Sequence, residues 1–224
     1  MLTYGNLNMS ASGSHGCVTD SDGGRNTMSV PRYPGFRPAG LMFVAALLLA
    51  LPARGAEGPI LTGDGLYTES WFLESFLDLR DDLTEATAAG KRFAVMWELK
   101  GCPYCKETHF VNLQDPDIRA FAEANFVILQ LNLQGSRAVV DFDGEEIEER
   151  KLARKYGVRF SPTFLFFPAQ ADGLADLPAK DRVVAQMPGY FRPPHFLAMF
   201  RYVREQAYGT EDFRDYLKRQ LKGQ

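Results

Sequence analysis

Two cysteines separated by two residues, Cys102 and Cys105, stand between an apolar run over residues 93–97 and a segment with helical spacing. The run predicts a buried strand, because successive apolar side chains suit a strand that is covered on both faces. A strand that leads directly into a helix puts Cys102 in the first helical turn, where unpaired backbone N–H groups and the helix dipole favour a thiolate. The junction therefore predicts a redox-active dithiol.

The composition is that of an ordinary globular protein, with 46% hydrophobic and 24% charged residues in 224. Lys and Arg number 25 against 28 Asp and Glu, which gives a net charge of −3. This balance, without a basic cluster, argues against nucleic-acid binding. Three cysteines in the whole chain argue against a scaffold stapled by disulfides.

The first 55 residues predict a leader. Residues 1–27 are rich in Gly, Ser, Asn and Asp, which predicts disorder or an over-extended start, with translation beginning at Met28. Residues 28–55 then resemble a signal peptide: arginines precede an apolar run of eleven residues, 41–51. A run of that length is too short to span a bilayer, which takes about 20 residues, but it fits a signal-peptide core of ~7–15.

Cleavage after Gly55 is the predicted processing step, with Ala53 and Gly55 as the small residues before the cut. Cleavage after Ala56 is the alternative, which would place Arg54 three residues before the cut. It removes Cys17, so that Cys102 and Cys105 are the cysteines of the mature domain, residues 56–224. We expect that domain to be periplasmic and monomeric, without stable membrane insertion. An uncleaved N-terminal membrane anchor is the alternative.

Periodicity along the mature chain predicts an α/β fold. Gly90 follows the first predicted helix and Asp115-Pro116 begins a later one. The predicted helices cover residues 66–89, the segment after the dithiol to about 113, 116–125, 145–156, 193–208 and 210–221. The predicted strands cover residues 91–98, 126–133, 163–167 and 182–187, with an insert at 135–144 that suits a small hairpin. This order implies a mixed central sheet flanked by helices, with an N-terminal helix and a C-terminal helical extension.

The order strand, Cys-Pro-Tyr-Cys, helix, and later Ser161-Pro162 before an apolar strand resembles the thioredoxin fold. The resemblance implies that Pro162 is a cis proline beside the dithiol. It also implies that the Ser161 backbone pairs with an extended substrate segment, in the manner of an added strand. No cofactor is implied.

Several further segments resemble the exported thioredoxin-like proteins of sulfur-oxidation gene clusters (SoxW type). These segments are residues 97–105, His109, and residues 141–144, 152–158 and 162–164. This resemblance implies a reductase of protein disulfides on sulfur-carrier proteins, with a membrane thiol-electron transporter as its reductant.

Two departures from related families concern the chemistry. Thioredoxin has a buried Asp six residues before its first cysteine, where this chain has Met96, so that Glu98 is the nearest carboxylate in sequence. Glutaredoxins share the Cys-Pro-Tyr-Cys motif. However, the glycine pair and following Asp that hold their glutathione are absent at residues 166–169.

The predicted chemistry is thiol–disulfide exchange, in which Cys102 forms a mixed disulfide and Cys105 resolves it. Glu98 is a candidate proton acceptor for Cys105, or else a solvated surface carboxylate. His109 lies on the same helix face as both cysteines, and either tunes the thiolate or is an ordinary half-buried histidine. The residues that could tune the site are Pro103, Tyr104, Glu98, Lys106 and His109.

Other functions remain open from the sequence. A disulfide oxidase or isomerase uses the same site at a different potential. A cysteine pair also suits a copper-delivery module, which belongs to a different functional class. Structural zinc needs two further ligands, and the mature chain offers only His109 and His195, so no metal site is predicted.

Overall fold

The computed structural model describes residues 58–222. The predicted disordered start at residues 1–27, the predicted signal peptide at 28–55 and its cleavage site lie outside the described residues. Among the residues described, no helix is long and apolar enough to cross a membrane.

A four-stranded mixed sheet forms the centre of the fold, in the order β4-β3-β7-β8. Strand β3 is parallel to β4 and antiparallel to β7, and β7 is antiparallel to β8. Two short hairpins, β1–β2 and β5–β6, lie outside this sheet. The strands are β1 (Ile60–Leu61), β2 (Tyr67–Thr68), β3 (Arg92–Glu98), β4 (Phe126–Asn132), β5 (Ala138–Val140), β6 (Glu146–Glu148), β7 (Thr163–Phe166) and β8 (Ala185–Pro188).

Helices cover both faces of the sheet, and alternate residues of β3 enter two separate cores. Ala94 and Met96 pack with α3, α5 and α6, whereas Val95 and Trp97 pack with α1 and α4. The apolar run of β3 is therefore buried on both faces, as its sequence predicts. The helices are α1 (Leu79–Ala88), α2 (Pro103–Glu107), α3 (Pro116–Asn125), α4 (Glu149–Lys155), α5 (Pro193–Arg204) and α6 (Phe213–Lys222). The predicted α/β class, mixed sheet and C-terminal helical extension are confirmed.

The predicted helix over residues 66–89 is wrong in its first half. Leu77 has a φ of 67°, which a continuous right-handed helix does not allow. Asp78 is the N-cap of α1, and its side chain accepts hydrogen bonds from the N–H groups of Arg80 and Asp81. The residues before it form β2 and a loop that lies along the sheet edge, where the Leu73 N–H donates to the Ile128 carbonyl at 2.9 Å. Gly90 follows α1 with a φ of 71°, as predicted.

The predicted helix over residues 145–156 is too long, because its first turn is strand β6. Ile147 pairs with Val139 across the β5–β6 hairpin, and Gly144 supplies a φ of 81° near the turn. The insert thus contains the hairpin predicted for residues 135–144 but extends to Glu148. Helix α4 begins only at Glu149.

The last strand also begins later than predicted, at Ala185 and not at residue 182. Arg182 is buried, and its guanidinium contacts Asp141 and Asp143 at 2.8 Å each. The Tyr156 hydroxyl also donates to Asp141, at 2.7 Å. This charged cluster ties the loop before β8 to the hairpin insert.

Asp115 gives a test of the helix that supports β4. Its side chain accepts hydrogen bonds from Asp117 N–H at 3.0 Å and Ile118 N–H at 3.1 Å. We expect Asp115→Ala to lower the free energy of unfolding by about 1 kcal/mol, because two helix N–H groups lose their acceptor. Asp115→Asn, which keeps an acceptor, should change it far less. Urea denaturation of both variants measures the difference, and equal loss in the two would contradict the capping role.

Candidate active site

The cysteine pair lies where β3 turns into α2. Gly101 has a φ of 75° at this turn, Cys102 is the N-cap residue, and Pro103 occupies the first helical turn. Cys102 and Cys105 form a disulfide, with their Cα atoms 5.3 Å apart. The Cys105 N–H points at Cys102 Sγ, 3.0 Å away. Cys102 is half-buried and Cys105 is 4% exposed, so the two sulfurs differ in their access to a partner.

Pro162 stands directly across from the disulfide. The Ser161–Pro162 peptide bond is cis, as the thioredoxin resemblance implies. The Ser161 carbonyl oxygen lies 3.4 Å from Cys102 Sγ, and Thr163 begins β7 immediately afterwards. The structure thus brings together the two parts of the motif, although Cys102 and Ser161 are 59 residues apart in the sequence.

The helix after the dithiol widens into a π-helical turn, Thr108–Asn112. The Leu113 N–H donates to the Thr108 carbonyl at 2.9 Å, five residues back along the chain. His109 lies in this turn and is fully buried, which differs from the half-buried histidine that was one of the two alternatives from the sequence. The predicted helix to about residue 113 is therefore present but is not regular.

His109 lies between two buried glutamates. Its Nδ1 is 2.8 Å from Glu69 Oε1, and its Nε2 is 3.1 Å from Glu98 Oε1. The other carboxylate oxygen of each glutamate accepts a hydrogen bond from a side-chain amide. Gln114 donates to Glu69 Oε2 at 3.1 Å, and Gln130 donates to Glu98 Oε2. We call Glu69, His109 and Glu98 the carboxylate–imidazole chain. Glu98 is thus buried, and the alternative of a solvated surface carboxylate is wrong.

The two glutamates determine the charge of His109. Burial alone would lower the pKa of the imidazole, but its hydrogen bonds to Glu69 and Glu98 outweigh that effect and raise the pKa from 6.5 to about 9. A neutral imidazole has one N–H donor, whereas imidazolium has two and can donate to both carboxylates at once. His109 is therefore a buried cation at neutral pH.

A cavity of about 490 Å³ joins the dithiol to this chain. Glu98, Cys102 and Cys105 all line it, together with Lys100 and Lys106. The β1–β2 hairpin supplies the opposite wall, through residues that include Leu66 and Tyr67. Met96, at the position of thioredoxin's Asp, lies instead in the apolar core.

The remaining candidate residues are exposed at the surface around the dithiol. Tyr104 is 56% exposed and stacks on Tyr190, with ring centroids 6.1 Å apart. The Lys106 ammonium lies over the ring of Phe110 at 5.4 Å. Asn112 donates to the Phe191 carbonyl at 2.7 Å, which fixes the loop after β8 beside the π-helical turn. These contacts place exposed aromatic surface next to Cys102.

Glu69 is the site residue that sequence reasoning missed. The periodicity of residues 66–89 indicated a continuous amphipathic helix, in which Glu69 would be one more polar position. The signal available in the sequence was that Glu69 is the one charged residue between Leu66 and Phe72. No basic residue lies near it in the sequence to pair with it. Among the described residues, no group of three or more His, Cys, Asp or Glu side chains is arranged to hold a metal ion.

Comparison with known proteins agrees with this geometry. The family model described as a thioredoxin-like domain matches residues 79–204. A thioredoxin-fold protein from Helicobacter pylori has the same fold, with a TM-score of 0.51 at 17% identity over 69% of this chain and 94% of that one. No curated protein matches the chain at a significant level.

Two further solved structures are similar at lower scores. A thioredoxin from Thermus thermophilus has a TM-score of 0.42 at 26% identity, over 56% of this chain and 83% of that one. The C-terminal domain of Neisseria meningitidis DsbD in its oxidised form has a TM-score of 0.38 at 16% identity, over 55% and 90%.

The raised pKa of His109 predicts a pH-dependent contribution to stability. Both folded and unfolded states hold the proton below pH 6.5, so the stabilisation is fully present there and is lost as pH rises through about 9. We expect the difference in unfolding free energy between the native protein and His109→Gln to shrink over this range, by on the order of 3 kcal/mol.

Urea denaturation at pH 6, 7, 8 and 9 measures this difference. His195→Gln is the matched control, since His195 is half-buried and outside the carboxylate–imidazole chain. A difference between the native protein and His109→Gln that stays constant with pH would contradict the assignment of His109 as a buried cation.

Proposed function

We propose that this protein is exported and reduces disulfides of protein partners. The chain belongs to the thioredoxin-like domain family and is a thiol–disulfide oxidoreductase. The observation that carries the proposal is the Cys102–Cys105 disulfide, which begins a helix and faces the cis peptide bond at Pro162. A close dithiol at a helix start suits thiolate chemistry.

Cys102 is the proposed nucleophile because it is the more exposed sulfur and receives the Cys105 N–H. In the reduced protein its thiolate attacks a partner disulfide, which forms a mixed disulfide and releases the first partner thiolate. Cys105 loses its proton and attacks Cys102 Sγ, which releases the second partner thiolate. The partner gains two electrons and two protons, and the Cys102–Cys105 bond forms.

Ser161 and Pro162 are the proposed substrate-binding residues. The Ser161 carbonyl oxygen lies beside Cys102 Sγ, so an extended segment that contacts this backbone would bring its own sulfur to the nucleophile. The exposed ring of Tyr104 and its neighbour Tyr190 offer an apolar contact on the same side. We propose Pro103 and Lys106 as residues that tune the thiolate, through the helix start and a nearby positive charge.

Glu98 is the proposed proton acceptor for Cys105. The two residues line one cavity, and Gln130 and His109 hold the carboxylate in place. When ionised, the carboxylate–imidazole chain has two negative charges and one positive charge. Lys100 and Lys106 line the same cavity, so charges of both signs surround the dithiol.

The biological setting is proposed from the sequence. Residues 28–55 act as a signal peptide that sends the domain of residues 56–224 to the periplasm. There a membrane thiol-electron transporter reduces the disulfide, and the reduced monomer acts on sulfur-carrier proteins, as the resemblance to SoxW-type proteins implies.

Trapping the mixed disulfide tests the proposed roles of both cysteines. We expect Cys105→Ser to accumulate a covalent adduct with partner proteins from a periplasmic extract, since the attached partner cannot be displaced. Dithiothreitol should release it, and mass spectrometry should locate the link at Cys102. Cys102→Ser is the matched control and should form far less adduct.

Two results would contradict this proposal. Equal adduct in the two variants would remove the distinction between nucleophile and resolving thiol. Stoichiometric copper on the reduced native protein, with no reduction of insulin disulfides, would favour the copper-delivery alternative.

A further inference from the structure

We propose that the carboxylate–imidazole chain binds protons according to the redox state of the dithiol, and that His109 and Glu69 are positioning residues that keep Glu98 ready to accept the Cys105 proton. This inference rests on the proposed function. It goes beyond that function by assigning roles to two residues that contact neither sulfur nor substrate.

The hydrogen-bonded chain is closed at both ends. Its members come from three elements: the segment after β2, the end of β3 and the π-helical turn. Glu69, His109 and Glu98 are all buried, and an amide closes the chain at each end. Burying three ionisable groups is costly unless they are paired. A purely structural core would be served as well by apolar residues.

The chain is connected to Cys105 by the helix and by the cavity. His109 follows Cys105 by four residues, one turn further along the helix, and Glu98 shares the cavity wall with Cys105. Cys105 is buried from the outer surface, so a proton that leaves its thiol enters this cavity. Glu98 is the acidic residue among those that line this cavity, and its carboxylate is held by His109 and Gln130.

Charges of both signs surround the chain. The titratable groups that face His109 are Glu69 and Glu98, from two other elements, and the ring of Tyr67 at 6.3 Å. Lys100 and Lys106 line the cavity nearer the dithiol. Reduction adds thiolate charge at the cavity, and a nearby negative charge raises the proton affinity of the chain. By linkage, protonation of the chain then favours the reduced form.

The positioning role follows from the resolving step. The Cys105 S–H proton passes to the Glu98 carboxylate, Cys105 Sγ bonds to Cys102 Sγ, and the partner sulfur leaves as a thiolate. Glu98 then returns the proton through the cavity to solvent, from which the partner thiolate is protonated. The His109 ring lies between the two carboxylates, and Glu69 holds it in place. Without His109, two buried carboxylates lose the cation between them, and a proton shared in its place blocks the transfer from Cys105.

An NMR titration of the His109 ring in the native protein tests the redox coupling directly. His109→Gln and His195→Gln assign the signals. We expect the ring to stay protonated at pH 8 in the oxidised protein, and its titration midpoint to be higher by about 0.5 pH units or more in the reduced protein. Equal midpoints in the two redox states, or a midpoint near that of free histidine at about 6.5, would overturn the inference.

The rate of the resolving step, measured against pH by rapid mixing, tests the positioning role. For His109→Gln we expect the rising limb to move up by about one pH unit or more, with a roughly tenfold slower step at pH 7 that recovers at higher pH. Glu98→Gln should remove that limb. His195→Gln, as the matched control, should leave the profile unchanged. An unshifted profile in His109→Gln would overturn the positioning role.

Glu69→Gln covers the case in which His109→Gln does not fold. It keeps the Glu98–His109 pair, and we expect it to lower the His109 midpoint by about one pH unit. An unchanged midpoint would overturn the role of Glu69. Failure of the proposed function would look different from failure of this inference, because the native protein itself would then reduce no disulfide. A native protein that turns over, with variants of unchanged pH profile, would contradict this inference alone.

Discussion

Strand β3 is the element on which the rest of the structure depends. It pairs with β4 on one side and β7 on the other, and it is buried on both faces. Its pairing with β7 brings Pro162 beside the cysteines, and its last residue, Glu98, reaches the cavity behind them. One central strand thus fixes the nucleophile, the facing proline and the carboxylate together, so little further ordering is needed when a partner binds.

Two buried charged clusters stand at different places in this fold. The cluster of Arg182, Asp141 and Tyr156 joins the loop before β8 to the hairpin insert, away from the cysteines. The carboxylate–imidazole chain lies instead at the cavity that contains the dithiol. Desolvation opposes both. The Arg182 cluster holds the hairpin insert in place. The carboxylate–imidazole chain instead has its charges beside the thiols that gain and lose protons.

The sequence predicts the parts of the site that depend on local order. Cys102 and Cys105 follow an apolar run, and Ser161-Pro162 precedes another, so both motifs are visible in short windows. Their approach to each other required the resemblance to the thioredoxin fold, since spacing alone gives no contact between distant segments. The buried setting of His109 was not visible, because a π-helical turn leaves no reliable periodicity.

The errors in secondary structure have a common cause. Residues 66–89 and 145–156 have apolar residues at helical spacing, yet the first part of each segment pairs with a strand or a sheet edge. Tertiary contacts outweigh local propensity in such segments. The first error concealed Glu69, because a residue on a predicted helix surface has no reason to meet His109.

The equilibrium reduction potential of the Cys102–Cys105 pair tests the central claim most directly. The proposed reductase function predicts a value near that of reducing thioredoxins, about −270 mV. Equilibration with defined ratios of reduced and oxidised dithiothreitol, read by thiol alkylation, gives this value. A potential near about −120 mV, as in strong disulfide oxidants, would contradict the account and assign the protein to disulfide formation.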